Sequence, residues 1–245
     1  MENAKMNTPS FTVVGSEKEK RPPKTRQRPE NFTKEEYRER GIIHPSMNNP
    51  EVLNAFRNLR NSMLSKAKAF NSIIQVTTVK QGGGASFNAI NLATSCAFDQ
   101  HRHALLIDCN FPRPSLATTL NIEPEYGLYD FLTGHTDNIE SIIYPTGIPR
   151  LSLVPSGEVK SEDHVECFTG EKMRLFLENV KNRYSDRAII LDTPPVLEST
   201  DAKILSELVD YVVVVIPYKG ASASKINKIV QAVGKEKIAG MVLNN

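Results

Sequence analysis

In "SIIQVTTVKQGGGASFNAINLATSCAF", residues 72–98, an apolar β-branched run meets a helix-like run across three consecutive glycines, Gly82, Gly83 and Gly84. Strand, glycine-rich turn and helix are the parts of a phosphate-binding loop. The glycines allow a tight turn that points backbone N–H groups at an anion, and the positive end of the following helix favours its charge. The full pattern, G-x-x-x-x-G-K-S/T, adds a lysine toward the outer phosphates and a hydroxyl for Mg²⁺. Gly84 and Ser86 stand where the final glycine and the hydroxyl belong, but Ala85 takes the place of the lysine. A glycine cluster also serves a plain strand-to-helix turn, and that alternative stays open at this point.

Working outward, "LLIDCNFPRPSL" ends the next apolar run on Asp108, where a carboxylate can hold Mg²⁺ or its waters. "IILDTPPVLESTDA" places Asp192 at the tip of another buried run, the position of a metal-side aspartate in phosphate-loop proteins. Aspartate also starts turns and caps helices. Three such features on three βα junctions point to one site, with Ser86, Asp108 and Asp192 as the metal set and the two aspartates as the catalytic candidates.

The apolar runs 72–78, 103–108, 151–156, 187–193, 211–217 and 238–244 alternate with helical stretches. Several are continuous instead of alternating, as strands buried on both faces of a parallel sheet are. The expected fold is α/β, a doubly wound and mostly parallel sheet with helices on both faces and ligands at the carboxyl ends of its strands. Ahead of the first strand, Val52, Leu53, Phe56, Leu59, Met63 and Leu64 recur at helical spacing, with Arg57 and Arg60 on a neighbouring face. Residues 1–45 are rich in Lys, Arg, Glu, Pro and Asn and read as a disordered polar tail before a domain at 46–245. A basic arm touching lipid or a partner is the alternative for that tail.

The 245 residues, 40% of them hydrophobic, suffice for one α/β domain with appendages. A net charge of +2 argues neither for nucleic acid nor for an anionic membrane. Three widely spaced cysteines, Cys96, Cys109 and Cys167, have no metal-ligand spacing and fit a reducing compartment. The longest apolar run, 211–217, is far short of the roughly 20 residues of a membrane-spanning helix, so membrane association is expected only through a partner. His101, His103 and the "EDHVEC" stretch at 162–167 match no zinc signature and are assigned no chemistry.

These segments together resemble the cytoplasmic domain of the bacterial tyrosine kinases of capsule and exopolysaccharide systems, within the deviant-Walker ATPases that include MinD and ParA. In that family the first loop is followed by "NLA", as at Asn91, Leu92 and Ala93. The second motif reads "LLIDxDxRRPSL", similar to "LLIDCNFPRPSL", and the third reads "IIDTPPVLxxTDA", similar to "ILDTPPVLESTDA". "GLYDFLTG" and "IYPTGIPRLSLVPSG" also resemble family segments, so the likeness runs from about residue 50 to 245. It implies an ATP/ADP and Mg²⁺ site built from Lys80, Gly82, Gly83, Gly84, Ala85, Ser86 and Phe87 beside Ser86, Asp108 and Asp192. It also implies a cytoplasmic domain at the inner membrane, recruited by a chain-length-determinant type membrane protein that controls polymer assembly or export.

The departures fall on the chemistry. Ala85 removes the lysine, and Asn110 stands where the second motif has its second aspartate. Asn54 replaces the acid of the family's E-x-x-R-x-x-R self-association motif, leaving Arg57 and Arg60 as the candidates for homo-oligomer contacts. The tyrosine-rich C-terminal cluster of the family is absent, and Tyr126, Tyr129 and Tyr211 read as structural. Asn54 and Asn110 depart independently of Ala85, which favours natural degeneration over an introduced change. Loss of one charged contact in such a site costs on the order of 10² to 10³ in rate. The expectation is therefore a degenerate kinase homologue that acts as a regulatory or binding subunit. The alternative is an active kinase or ATPase in which Lys80, at the place of the extra lysine of MinD-type loops, stands in; a solvated loop lysine is the plain reading of that residue.

Overall fold

The computed structural model describes residues 29–67, 69–160, 165–218 and 222–244. In chain order these form α1 (Lys34–Glu39), α2 (Pro50–Lys66), β1 (Ile73–Thr78), α3 (Ala85–Ala97), β2 (His103–Asp108), α4 (Leu116–Thr119) and α5 (Leu128–Thr133). A 3-10 turn at Ile139–Ile142 leads to β3 (Tyr144–Pro145), β4 (Leu151–Val154), α6 (Val165–Thr169), α7 (Glu171–Arg183) and β5 (Arg187–Asp192). The chain continues through α8 (Thr200–Leu208), β6 (Tyr211–Pro217), α9 (Ala223–Val233) and β7 (Ile238–Asn244).

The strands build one sheet in the order β3-β4-β2-β5-β1-β6-β7, parallel throughout except for the antiparallel β3 edge. The α/β doubly wound fold expected from the sequence is the fold observed. Successive strand residues feed opposite faces, which explains the continuous apolar runs. Ile73, Leu105, Ile107, Ile189 and Leu191 pack with Phe168, Phe176 and Leu205 on one side. Their neighbours Ile74, Val76, Leu106 and Ile190 pack with Met63 and Leu92 on the other. β3 is two residues long and was not signalled by any apolar run.

The domain boundary expected at residue 45 is corrected by the packing. Residues 1–28 lie outside the described residues, but the segment from 29 onward is folded against the sheet domain. Thr33 caps α1 through a reciprocal box with Glu36, its hydroxyl accepting from the Glu36 N–H at 3.2 Å. Ile42 and Ile43 are buried, and the Ile43 N–H donates to Asn91 Oδ1 at 2.7 Å. Asn91 Nδ2 returns a bond to the Gly41 carbonyl at 3.1 Å, so the segment is strapped to α3. Two consecutive isoleucines among charges carry no 3.6 or 2 periodicity, which is why the pattern concealed them.

α2 forms where expected, with Asn49 accepting from the Val52 N–H as N-cap and Pro50 in the first turn. It buries Leu53, Phe56 and Met63, while Leu59 and Leu64 are partly buried against the core.

Candidate functional site

β1 lies between β5 and β6, and β2 lies beyond β5, so the chain runs from β1 to β2 on one side and from β5 to β6 on the other, a reversal that opens a crevice at the carboxyl ends. The glycine loop spans that point. Gly84 caps α3 in the left-handed region at φ 90°, and Gly82 has φ 72°. A Cβ on Gly83 would collide with Thr78 Oγ1 and approach the Lys80 carbonyl to 2.9 Å. The turn is closed by the Gly83 N–H donating to the Lys80 carbonyl at 3.1 Å. α3 has no acid in its first turn and no side-chain cap, so its first N–H groups remain available to an anion.

The hydroxyls of β1 fix the facing loop. Thr77 Oγ1 donates to the Pro194 carbonyl at 2.7 Å and accepts from the Val196 N–H at 3.0 Å. Gln75 Nε2 donates to Thr193 Oγ1 and to the Ala202 carbonyl at 3.0 and 2.9 Å. Neither Gln75 nor Thr77 was singled out in the sequence. A polar residue within an apolar strand was the available signal, because a buried polar side chain persists only with partners.

Asp108 and Asp192 are direct register partners on β2 and β5, and both are fully buried. Asp108 accepts three backbone bonds, from Asn110 at 3.1 Å and from Ser115 and Leu116 at 3.2 Å. Burial pushes its carboxyl up to about 6, against the pull of those N–H groups. Asp192 has no hydrogen-bond partner on either carboxylate oxygen. Burial and then the Asp108 charge raise it well above the ordinary carboxylate range. The Ser86 side chain favours its charged form without reaching hydrogen-bonding geometry. Two adjacent buried carboxylates, one with no partner, are electrostatically incomplete and fit a divalent cation. Among the described residues no trio of His, Cys, Asp or Glu is arranged to hold a metal. Asp108 and Asp192, with the Ser86 hydroxyl, are the residues that would hold such a cation.

A cleft of about 640 Å³ opens over the loop, lined by residues 81–87 on one side and by Asn110, Arg113, Thr193 and Glu198 among others. Gly82, Gly83, Gly84, Ala85, Ser86 and Phe87 all line it; Lys80 does not. Ala85 opens α3 and is 6% exposed. Phe87 stacks edge-on against Phe56 of α2, with ring centroids 6.4 Å apart. Arg57 and Arg60 line a separate cavity of about 490 Å³ between α2 and α3. There Arg60 donates to the Ser95 carbonyl at 2.8 Å, and so is tied to its own chain. Tyr129 is buried and the Tyr211 hydroxyl donates to the Lys66 carbonyl, as structural tyrosines do. His103 pairs with Asp186 at 2.7 Å, and His164 of the "EDHVEC" stretch lies outside the described residues. The sequence reading passed over Arg113 and also over Pro112, which stands where the second family motif has its first arginine.

The AAA domain family model matches residues 71–240, from the strand before the loop to the last strand. The chain belongs to the AAA domain family. Its curated relatives include proteins named as tyrosine-protein kinases. It is 27% identical to tyrosine-protein kinase wzc of Salmonella typhi over 79% of its own length, and 29% identical to tyrosine-protein kinase CpsD of Streptococcus agalactiae over 71%. It spans only 27% of the Salmonella protein but 75% of the Streptococcus one. The kinase domain of Escherichia coli tyrosine kinase ETK has the same fold, with a TM-score of 0.74 at 24% identity over 90% of this chain and 82% of that one. The resemblance read from the three motifs holds across the domain.

Proposed function

We propose that this AAA domain is a catalytically degenerate homologue of the bacterial tyrosine kinases, serving as a regulatory or binding subunit in capsule or exopolysaccharide assembly and export. The observation that carries the reading is Ala85, seated at the first position of α3 in a loop whose backbone cradle is intact. Phosphoryl transfer rests on positioning and on neutralising the transferring phosphate. Here the loop lysine is missing, Asn110 replaces a carboxylate, and Lys80 does not line the cleft of its own chain. A bound Mg²⁺ on Asp108, Asp192 and Ser86 would supply charge neutralisation to the phosphates of ATP or ADP. The chain's own share is the N–H cradle that orients them.

Among the described residues no helix is long and apolar enough to cross a membrane. From the likeness to the capsule and exopolysaccharide kinases, a chain-length-determinant type membrane protein is the proposed partner and the means of recruitment to the inner membrane. Incubation with Mg-ATP, followed by anti-phosphotyrosine blotting and a phosphate-release assay beside Asp192→Asn, is expected to show no Asp192-dependent product. Tyrosine phosphate or sustained hydrolysis that Asp192→Asn abolishes would overturn the reading. If Lys80→Ala also abolished it, the active alternative would take its place.

A further inference from the structure

We propose that Arg113, in the loop between β2 and α4, supplies the positive charge toward nucleotide phosphates that Ala85 no longer can. The proposal rests on the cleft being a nucleotide site, and adds which side chain makes it one in this chain. Among the described residues that line the cleft, Arg113 is the single cation, and Glu198 and Asp201 are the acids. Asp108 and Asp192 are fully buried at the ends of β2 and β5, and the lining residues Asn110 and Thr193 follow them in the chain. A polyphosphate entering this space meets backbone N–H groups on the loop side and needs a mobile or fixed cation against the carboxylates on the other.

Arg113 is placed for that task. It is exposed, and among the described residues its side chain makes no ion pair or hydrogen bond, so its five donors are uncommitted. Its backbone is not free in the same way. Pro112 and Pro114 flank it, each fixing φ, and its N–H donates to the Asn110 carbonyl at 3.0 Å. The loop is then anchored on both sides of Arg113 by one carboxylate, because Asn110 and Ser115 both donate to Asp108. A guanidinium on a stiff loop at the mouth of a phosphate cradle is suited to bidentate contact with phosphate oxygens, which a lysine at position 85 would have met as a point charge. The anchoring also links the arginine to the metal side, since the carboxylate that holds the loop is a member of the candidate Mg²⁺ set.

The test is calorimetric titration of Mg-ADP and Mg-ATP into the native chain, Arg113→Ala, Ala85→Lys and the double variant. Arg113→Ala is expected to weaken both nucleotides by about tenfold or more, the size of a lost charge-assisted contact. In the Ala85→Lys background the same change is expected to cost less than about threefold, because the lysine again carries the charge. Arg113→Lys, retaining charge without the fork, is expected between the two, and unchanged thermal melting of each variant checks the fold. Native affinity in Arg113→Ala overturns the proposal, as does an equal loss in both backgrounds. So does a native chain that binds neither nucleotide, whether or not Ala85→Lys restores binding. None of these outcomes touches the degenerate-kinase reading, which stands or falls on phosphotyrosine and phosphate release.

Discussion

Asp108 and Asp192 sit side by side on adjacent strands, equally buried, yet one is solved as a hydrogen-bonding problem and the other is not. Asp108 collects three backbone N–H groups and so closes the loop from Asn110 to Leu116. Asp192 collects none, and the bonds that hold its loop are made instead by Thr77, Thr193 and Gln75. The difference separates two roles that one sequence pattern, an aspartate at a strand tip, makes look identical. Asp108 is part of the architecture as well as of the candidate site. The Asp192 side chain holds no loop by a hydrogen bond, and burial and the Asp108 charge push its carboxyl upward.

The sharpest way to break this contrast is to remove each carboxylate and measure stability by urea denaturation. Asp108→Ala is expected to lose about 2–4 kcal/mol, because three N–H donors in or beside the core lose their acceptor. Asp192→Asn is expected to stay within about 1 kcal/mol of the native chain, since it removes an uncompensated buried charge and no partner. Equal losses in the two variants would show that Asp192 has a structural partner after all. The same two variants separate in ligand response: Mg²⁺ with nucleotide should raise the melting temperature of the native chain and not that of Asp192→Asn.

The smallest effect expected is on pH dependence. Both carboxyls titrate higher in the folded chain than unfolded, so the folded state holds protons that the unfolded chain has released. The stability tied to that protonation is full below the ordinary carboxylate range and is lost as pH rises, through about 6 for Asp108. Without divalent cation, the native chain should therefore gain stability between pH 7.5 and 5.5 relative to Asp192→Asn. Added Mg²⁺ should flatten the difference, and a native chain that instead loses stability over that interval relative to the variant would contradict the burial of an unpartnered charge.

Much of this contrast is invisible in the letters. The runs "HALLID" at 103–108 and "RAIILDT" at 187–193 both became strands whose last residue is aspartate, β2 at His103–Asp108 as expected and β5 at Arg187–Asp192, one residue short of its run. Nothing in either run tells which carboxylate will find N–H donors, because those donors come from loops whose paths depend on Pro112, Pro114, Pro194 and Pro195 in three dimensions. The strap at residues 29–45 was missed for a related reason. Its hold on the domain runs through Asn91, 48 residues from Ile43, and a contact of that range leaves no local period. Lys80 stands out in the sequence by its adjacency to the glycines and Arg113 does not, yet of the two only Arg113 lines the cleft, because the path of its loop is set in three dimensions.

What the sequence by itself determined is the architecture: alternating apolar runs with two buried faces, the glycine turn, and two aspartates at strand tips, all consequences of short-range periodicity and of backbone conformations that few residues tolerate. It also determined the missing lysine at Ala85, which no fold can restore. Only the tertiary structure decided which aspartate is satisfied, which cation faces the cleft, and that the N-terminal segment belongs to the domain. These depend on who meets whom across the sheet, and burial charges a polar group according to its neighbours in space.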